Sequence, residues 1–534
     1  MAKEFNITGS CSPAKHYMAD VSSQLEDTYE MIERGKYFII NRPRQYGKTT
    51  TLYTMARTLR TKPDYLVFNI SFEGIGDTFF ADEQTLGHGF LRHLSLQAAI
   101  YSPELVPFLK QKSTEVGNFD DFSIIITELC QQTDKKIVVL IDEVDRSSNN
   151  RLFVLFLGLL RNKFLQQEDM PTFHSVVLAG LHDVKTLKLK IRPDEEKTYN
   201  SPWNIASPYK VNMNLSAKAI KPMLEDYMQA QNISMNPQLI AERLFYLTSG
   251  YPYLVSHLCK IIAEEIMPTK MAHPANGGAV KEWTEDDVNK AFQRLIKDEN
   301  NANFDSLIKN LNDYPNLYNL VYSMVINGRI LPYDHNDKTI NLGVLHGILT
   351  RSETERLIIH NRIYRELIAN MMISEWRTGH SEKQDTDIFE TISQYYLPNK
   401  GLDMQKVLEN FQAFMKKEYS TKDRSFLERE GRMIFLAFMR PILNGAGYDF
   451  KEPQVSEEKR LDVVITYHQH LYVAELKIWH GQELHKKGLI QLADYLETLS
   501  LDTGYLLIFD HNVKKTWKKD WITVKGKRIF WAKV

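Results

Sequence analysis

Between positions 37 and 59 the chain changes character twice within a few residues. An apolar run, Tyr37-Phe38-Ile39-Ile40, gives way to Asn41-Arg42-Pro43-Arg44-Gln45-Tyr46-Gly47-Lys48-Thr49-Thr50, which leads straight into helical periodicity over 48–59. A strand, a turn and a helix entered at a lysine–threonine pair make a cradle for an anion, because the first turn of a helix presents unpaired N–H groups. Gly47 lets the backbone approach a phosphate chain, Lys48 would reach its β- and γ-phosphates, and the Thr49 hydroxyl would ligate Mg²⁺. Such loops usually carry their first glycine where this chain has Arg42, so residues 41–43 must make the entry by other means. Arg44, Gln45, Tyr46, Gly47, Lys48, Thr49 and Thr50 are the candidate nucleotide-binding residues.

A second apolar run, 135–143, ends in Asp142 and Glu143. Asp142 would hold Mg²⁺ through water, and Glu143 would orient and polarise an attacking water, which makes it the candidate catalytic residue for hydrolysis. Two acids at the end of a buried strand are costly unless a cation or a water network compensates them. A solvated acidic strand end is the plainer alternative. Strand-like runs at 37–41, 65–70, 137–142 and 175–179 alternate with helix-length segments at 48–59, 85–100, 119–132 and 152–166, the signature of a parallel sheet covered by helices. Residues 190–208 read as a long loop. The pattern from 216 to 267 is helical, broken at Ser249-Gly250-Tyr251-Pro252, and 268–278 reads as a linker.

Composition narrows the class. A chain of 534 residues is several domains, and 43% apolar with 25% charged residues is the mix of a soluble globular protein. Its 66 basic and 67 acidic residues exclude a uniformly cationic nucleic-acid binder but leave room for a local basic face. The longest apolar runs, 137–141 and 152–160, fall well short of the ~18–20 residues a bilayer needs, and the first residues lack a secretory pattern. Three dispersed cysteines, Cys11, Cys130 and Cys259, exclude a disulfide framework or a cysteine zinc knuckle and fit a reducing compartment. The expectation is a cytoplasmic protein without a membrane partner.

GKTT, then LIDEVD, then VVLAG followed by LHDV resembles the AAA-type ATPases of the bacterial AAA-like group, related to initiator and signal-transduction ATPases. The resemblance covers residues 5–265 and implies ATP with Mg²⁺ as cofactor and a homo-oligomer. By the same resemblance, His182 lies where a polar sensor contacts the γ-phosphate or the water; an ordinary loop histidine is the alternative. Thr248-Ser249-Gly250-Tyr251-Pro252 is similar to the turn before the second-sensor helix. Arg151 and Arg161 are either arginines acting on a neighbour's nucleotide or solvated surface groups. Residues 303–373 resemble a winged-helix module, with GILTRSETERLIIH as its wing and Asn361-Arg362-Ile363-Tyr364 as its closing motif. With no clearly basic recognition helix, a structural role is favoured there over DNA binding.

The C-terminal third carries a separate signature. Asp462 opens one strand-like run and Glu475 and Lys477 lie in the next, two apart and hence on one face. Carboxylates on adjacent strands make a hard-oxygen site for Mg²⁺ or Mn²⁺, and Lys477 could orient or deprotonate the attacking water, which suits phosphodiester hydrolysis. The spacing Asp-x12-Glu-x-Lys, followed by Gln491 and Tyr495 on one helix face, resembles the PD-(D/E)xK nuclease superfamily over residues 403–512. That resemblance implies Asp462, Glu475 and Lys477 as catalytic residues, Asp462 and Glu475 as metal ligands, and Gln491 and Tyr495 as groups that orient the lysine or contact DNA. An additional acid would come from Glu430 or Glu452. A nuclease-like fold used only for binding is the alternative. Residues 511–534 carry eight Lys/Arg against one acid, with Trp517, Trp521 and Trp531 interleaved. These could meet phosphates and bases, or form a terminal hairpin anchored by its indoles.

The expected fold class is α/β: a P-loop ATPase with a parallel sheet (1–210) and helical lid (211–300), a winged-helix module (301–376), a linker (377–402) and a restriction-endonuclease-like α/β domain (403–534). The expected function is an ATP-binding and ATP-hydrolysing protein whose nucleotide state controls a DNA nuclease, in defence against foreign DNA or in mobile-element biology. DNA and a protein regulator are the expected partners. The alternatives are a signalling ATPase with a non-catalytic interaction module and a sequence-specific DNA-binding protein using the winged helix.

Overall fold

The computed structural model describes residues 3–144, 151–180, 205–272, 281–325, 329, 331–379, 395, 397–398, 401–418, 434–436, 438–439, 442–443, 447–448, 463–467, 470–479, 482–510 and 516–534. The chain divides into two compact units. One comprises Met1–Asp313, Tyr333–Ser352 and Ile358–Ile363; the other comprises Tyr314–Pro332, Glu353–Leu357 and Tyr364–Val534.

The first unit is built on β1 (Phe38–Asn41), β2 (Tyr65–Ser71), β3 (Lys136–Asp142) and β4 (Ser175–Gly180), in the spatial order β1-β4-β3-β2 with every pairing parallel. After its first residue β3 is buried throughout, and β4 is buried along its whole length. Parallel strands covered on both faces must be apolar continuously, which is why 137–141 reads as an unbroken run. Among the helices are α1 (Ser22–Glu33), α2 (Lys48–Arg60), α3 (Glu83–Tyr101), α4 (Val106–Glu115), α5 (Phe119–Gln131) and α6 (Arg151–Leu165). Phe90, Phe122, Phe153 and Phe156 from three of these helices join Phe68, Val139 and Leu178 in one core. Capping is explicit in the sequence: Asp82 accepts from the Thr85 N–H, and Asn118 with Asp121 forms a capping box.

One expectation changes and one gains a detail. Most of the stretch expected to be a loop lies outside the described residues, and near its end Ser207 makes a single parallel bridge to Phe38, its N–H donating to the Tyr37 carbonyl at 2.8 Å. The Tyr209 ring stacks on Phe38 at 5.6 Å. A proline-bearing polar segment with one pairing partner has no strand periodicity to read. The expected linker at 268–278 begins as helix, Met267–Ala272, which continues the helix Pro252–Ile261 through a π-helical segment, Ile262–Ile266.

The lid region contains α7 (Ala217–Gln231), α8 (Pro237–Thr248), α9 (Pro252–Ile261) and α10 (Glu285–Leu295), followed by α11 (Ala302–Asp313) and α12 (Lys338–Leu345). Ser249 and Gly250 both take positive φ, 49° and 75°, and reverse the chain between α8 and α9.

The second unit holds a mixed six-stranded sheet: β5 (Gly447–Tyr448), β6 (Val463–Tyr467), β7 (His470–Ile478), β8 (Thr503–Phe509), β9 (Lys519–Val524) and β10 (Lys527–Lys533), in the order β9-β10-β8-β7-β6-β5. The pairs β7–β8 and β8–β10 are parallel, and the remaining pairs are antiparallel. Helix α13 (Met404–Glu418) precedes the sheet, and α14 (Gln482–Thr498) packs Leu489, Leu492 and Leu496 on Val464, Val473, Leu506 and Ile508. Among the described residues no helix is long and apolar enough to cross a membrane.

Candidate functional site

The loop after β1 runs into α2 at Gly47. Gly47 takes φ 77° as the N-cap of α2, a left-handed conformation that suits glycine. Lys48 is 7% exposed, and its ammonium donates to the Arg42 and Pro43 carbonyls at 3.0 Å each. The Thr49 hydroxyl donates to Asp142 Oδ2 at 2.6 Å. Glu143 follows with φ 55°, its own N–H donating to Asp142 Oδ1 at 2.9 Å. A glutamate held in the left-handed region is a strained backbone of the kind that clusters at functional sites. Burial pushes the Asp142 carboxyl above its usual range, opposed by the hydrogen bonds from Thr49 and Glu143 and by the Lys48 ammonium. A hydroxyl and a buried carboxylate this close are hard-oxygen donors of the type Mg²⁺ takes.

Arg42 explains how the loop does without its usual first glycine. The guanidinium turns back on the chain, donating to the Asn41 carbonyl at 2.9 Å and the Val211 carbonyl at 2.7 Å, and lies 5.5 Å from the Tyr209 ring centroid. The side chain is thus fixed on the 205–213 segment. The Thr50 hydroxyl accepts from the Cys11 N–H at 3.0 Å, while the Asn6 carbonyl accepts from Ser256 on α9 at 2.6 Å. An N-terminal strap therefore joins α2 to the lid, and nothing in its composition announces it. Glu73 also escaped the sequence reading: the Phe72 N–H donates to the Asp142 carbonyl at 3.0 Å, and the Glu73 carboxylate helps raise Asp142. An acid just after β2, as Glu143 lies just after β3, was the available signal. His182 lies outside the described residues; Arg151 is exposed and Arg161 half-buried.

The turn at 249–251 is set by close approach. A Cβ on Gly250 would stand 2.2 Å from the Leu215 carbonyl oxygen, and the Leu215 N–H donates to the Gly250 carbonyl at 2.8 Å. Tyr251 then extends its hydroxyl to the Arg44 carbonyl at 2.6 Å.

The family model of the AAA-like domain matches residues 10–276, half of the chain. The chain belongs to this AAA-like family. Its P-loop ATPase fold accounts for the parallel sheet, the loop entering α2 and the paired acids closing β3. No curated protein matches the chain. Among solved structures, the AAA-like chain is similar to the RuvB Holliday junction branch migration motor of Thermotoga maritima, at 15% identity and TM-score 0.32, covering 68% of this chain and 98% of that one. It is similar also to the ORC2 protein of Aeropyrum pernix, at 10% identity and TM-score 0.37, covering 70% and 96%. A third likeness is to Cdc6p of Pyrobaculum aerophilum, at 15% identity and TM-score 0.31, covering 69% and 97%.

In the second unit of the AAA-like chain, Glu475 and Lys477 share one face of β7. Glu475 is fully buried, and Lys477 Nζ lies 2.7 Å from its Oε1 with the lysine side chain 41% exposed. Their register partners on β8 are Leu506 and Ile508, both beneath α14. Gly488 of α14 adjoins the lysine: a Cβ there would be 3.8 Å from Lys477 Cε. Gln491 is half-buried, whereas Tyr495 is 1% exposed and belongs to the core between α14 and the sheet. Asp462, Glu430 and Glu452 lie outside the described residues. Among the described residues no group of three or more His, Cys, Asp or Glu side chains could hold a metal.

The cationic tail is a hairpin, β9–β10, turned by Lys525 and Gly526 with φ 49° and 78°. Lys525 pairs with Asp494 at 2.5 Å, Lys527 with Glu497 at 2.8 Å, and Lys533 with Asp510 at 2.6 Å. The Trp521 indole N–H donates to Gln405 of α13 at 3.1 Å, and Arg528 lies 4.6 Å from the Trp521 ring centroid. Of these three pairs only Lys533–Asp510 is buried on both sides, while the Trp521 indole ties the hairpin to α13.

Proposed function

We propose that this AAA-like chain binds and hydrolyses ATP at the loop entering α2, and that its nucleotide state controls a metal-dependent DNA nuclease in residues 403–534. For the ATPase, the Gly47 backbone and the Lys48 ammonium would hold the phosphates. Thr49 and Asp142 would hold Mg²⁺, which when bound neutralises phosphate charge. Glu143 would orient the attacking water. For the nuclease, Asp462 and Glu475 would supply oxygens to Mg²⁺ or Mn²⁺, which when bound offsets charge on the scissile phosphate, and Lys477 would orient the water.

The observation that carries the nuclease reading is the Glu475–Lys477 contact of 2.7 Å on one face of a mixed sheet, beside a helix that approaches closely through Gly488. The winged-helix reading of 301–376 is supported by the element order: helices Ala302–Asp313, Pro315–Val325 and Lys338–Leu345, strands Leu349–Arg351 and Arg356–Ile359, then helix Arg362–Gly379. An endonuclease without control would cut its own cell's DNA, so coupling to a nucleotide switch makes physical sense. A homo-oligomer and a protein regulator belong to the same proposal.

One observation favours a second reading, a signalling ATPase with a non-catalytic module: Glu475 has no exposed surface, and a fully buried carboxylate paired to a lysine also serves as a structural ion pair. Plasmid nicking with Mg²⁺ or Mn²⁺, with and without ATP, separates the two. Activity in the wild type that is lost in both Glu475→Ala and Lys477→Ala supports the nuclease. The same background cutting in all three proteins supports the interaction module.

A further inference from the structure

Four consecutive residues of the phosphate loop are each held by a different downstream position within the first unit. Pro43 abuts Gly347, which takes φ +71°; a Cβ on that glycine would stand 2.7 Å from Pro43 Cγ. The Arg44 carbonyl accepts the Tyr251 hydroxyl. Gln45 accepts a hydrogen bond on Oε1 from Asn303 Nδ2 at 2.8 Å. Tyr46 is 4% exposed, with its ring 4.6 Å from that of Tyr251 and 6.0 Å from that of His360. Its hydroxyl donates to Asn214 and lies 3.3 Å from His360 Nε2.

The grip falls where the loop is strained. Gln45 has φ 56°, and a non-glycine residue persists in that conformation only where its surroundings hold it. Asn303 is itself fixed: its N–H donates to Asn301 Oδ1 at 3.1 Å, and the same oxygen accepts the Tyr253 hydroxyl of α9 at 3.0 Å. His257 Nδ1 lies 3.1 Å from that hydroxyl. A buried polar chain thus runs from the lid helix through Asn301 and Asn303 to the loop. Asn301, Asn303 and His360 are all buried, so these bonds meet little competition from water.

We propose that Asn303, Gly347 and His360 are positioning residues for the nucleotide. They set the conformation of the phosphate loop without touching the phosphates, so ATP affinity depends on Asn303, Gly347 and His360, all within the first unit, remaining docked against it. The inference rests on the reading that this loop binds ATP, and goes beyond it by making affinity a property of a segment downstream of the lid. By linkage, ATP must favour the docked arrangement by the same factor. The passages of the chain between the two units all fall between Asp313 and Tyr364, within or next to this segment.

A double-mutant cycle on the full chain tests it, using Gln45→Ala, Asn303→Ala and the pair, with Kd for ATP from calorimetry and kcat and KM from phosphate release. Asn303→Ala should raise Kd and KM by about 3- to 10-fold, as loss of one buried hydrogen bond does, with kcat changed less than about twofold. In the Gln45→Ala background it should add nothing, because the contact is already gone. An unchanged Kd in Asn303→Ala, or effects that multiply in the double variant, overturns the proposal. Should Asn303→Ala fail to fold, Tyr46→Phe and His360→Gln take the same cycle with the same criteria. A wild type that binds no ATP overturns the ATPase reading and this inference together; a wild type and variants that bind it equally overturn the inference alone.

Discussion

Thr49 and Asp142, separated by 93 positions, meet through a hydrogen bond of 2.6 Å at the head of α2 and the end of β3. The carboxylate is 3% exposed, so the hydroxyl is one of the few groups offsetting its burial. Thr49→Val keeps the shape and removes the donor. It should cost about 1–3 kcal/mol in urea unfolding and abolish any Mg²⁺-dependence of ATP binding.

Lys48 and Glu143 should separate binding from turnover. On the proposed reading Lys48→Ala should lose ATP binding in calorimetry, because the ammonium would supply the point charge at the phosphates. Glu143→Gln should bind ATP as the wild type does and lose about 10²- to 10⁴-fold in kcat, the usual worth of a positioned acid–base group. Equal kcat in wild type and Glu143→Gln would move the water-orienting role elsewhere, with Glu73, just after β2, the next acid to test.

His360 should make the first unit acid-sensitive. Burial lowers its imidazole from 6.5 to about 4, so the folded chain holds it neutral while the unfolded chain protonates it. The stability it contributes is complete above pH 6.5 and is lost as the pH falls from 6.5 towards 4. The loss amounts to about 3 kcal/mol by linkage. Thermal unfolding of wild type against His360→Gln across that window should show the wild type losing ground as acid is added. Parallel curves would show that the histidine is not buried as neutral imidazole.

Gly250→Ala should be severe. The residue combines φ 75° with a Cβ position 2.2 Å from a backbone oxygen, so strain and overlap add at a turn that cannot shift without moving Leu215. A loss of about 2–4 kcal/mol is expected in urea unfolding. Gly526→Ala, with φ 78° but nothing within 4 Å, should cost about 1 kcal/mol and serves as the control for backbone strain alone.

Lys533→Met should destabilise the second unit more than a surface ion pair would. Lys533 and Asp510 pair at 2.6 Å with side chains only 10% and 2% exposed, and the ammonium lies 3.8 Å from the Trp479 ring centroid. Removing the cation leaves a buried carboxylate uncompensated, a loss of about 3–5 kcal/mol in chemical unfolding. A loss below 1 kcal/mol would show the pair to be solvated.

Local order explains what could be read without coordinates. The strands at 65–70 and 137–142 and the helices at 48–59 and 119–132 appear within a residue or two, because each is specified by its own apolar period and its own caps. The bridge at Ser207, the strap at Cys11 and the hold on Gln45 have no such period. Each depends on one or two hydrogen bonds to a residue far along the chain, which leave no composition behind. The tail shows the same limit: eight cations in a row of residues state a charge, but only their neighbours state whether it is spent internally.

What the sequence by itself determined is the chemistry at fixed local spacing: a glycine, a lysine and a threonine at a helix start, two acids at a strand end, and a glutamate and a lysine two apart on a strand. Those follow from periods of 2 and 3.6 residues and need no partner. Only the tertiary structure decided that Arg42 folds onto the Val211 carbonyl, that Tyr495 is core, and that Asn303 and His360 hold the loop from about 260 and 310 residues away. Buried polar groups must find partners wherever packing puts them. Which partner each one finds is a property of the whole fold.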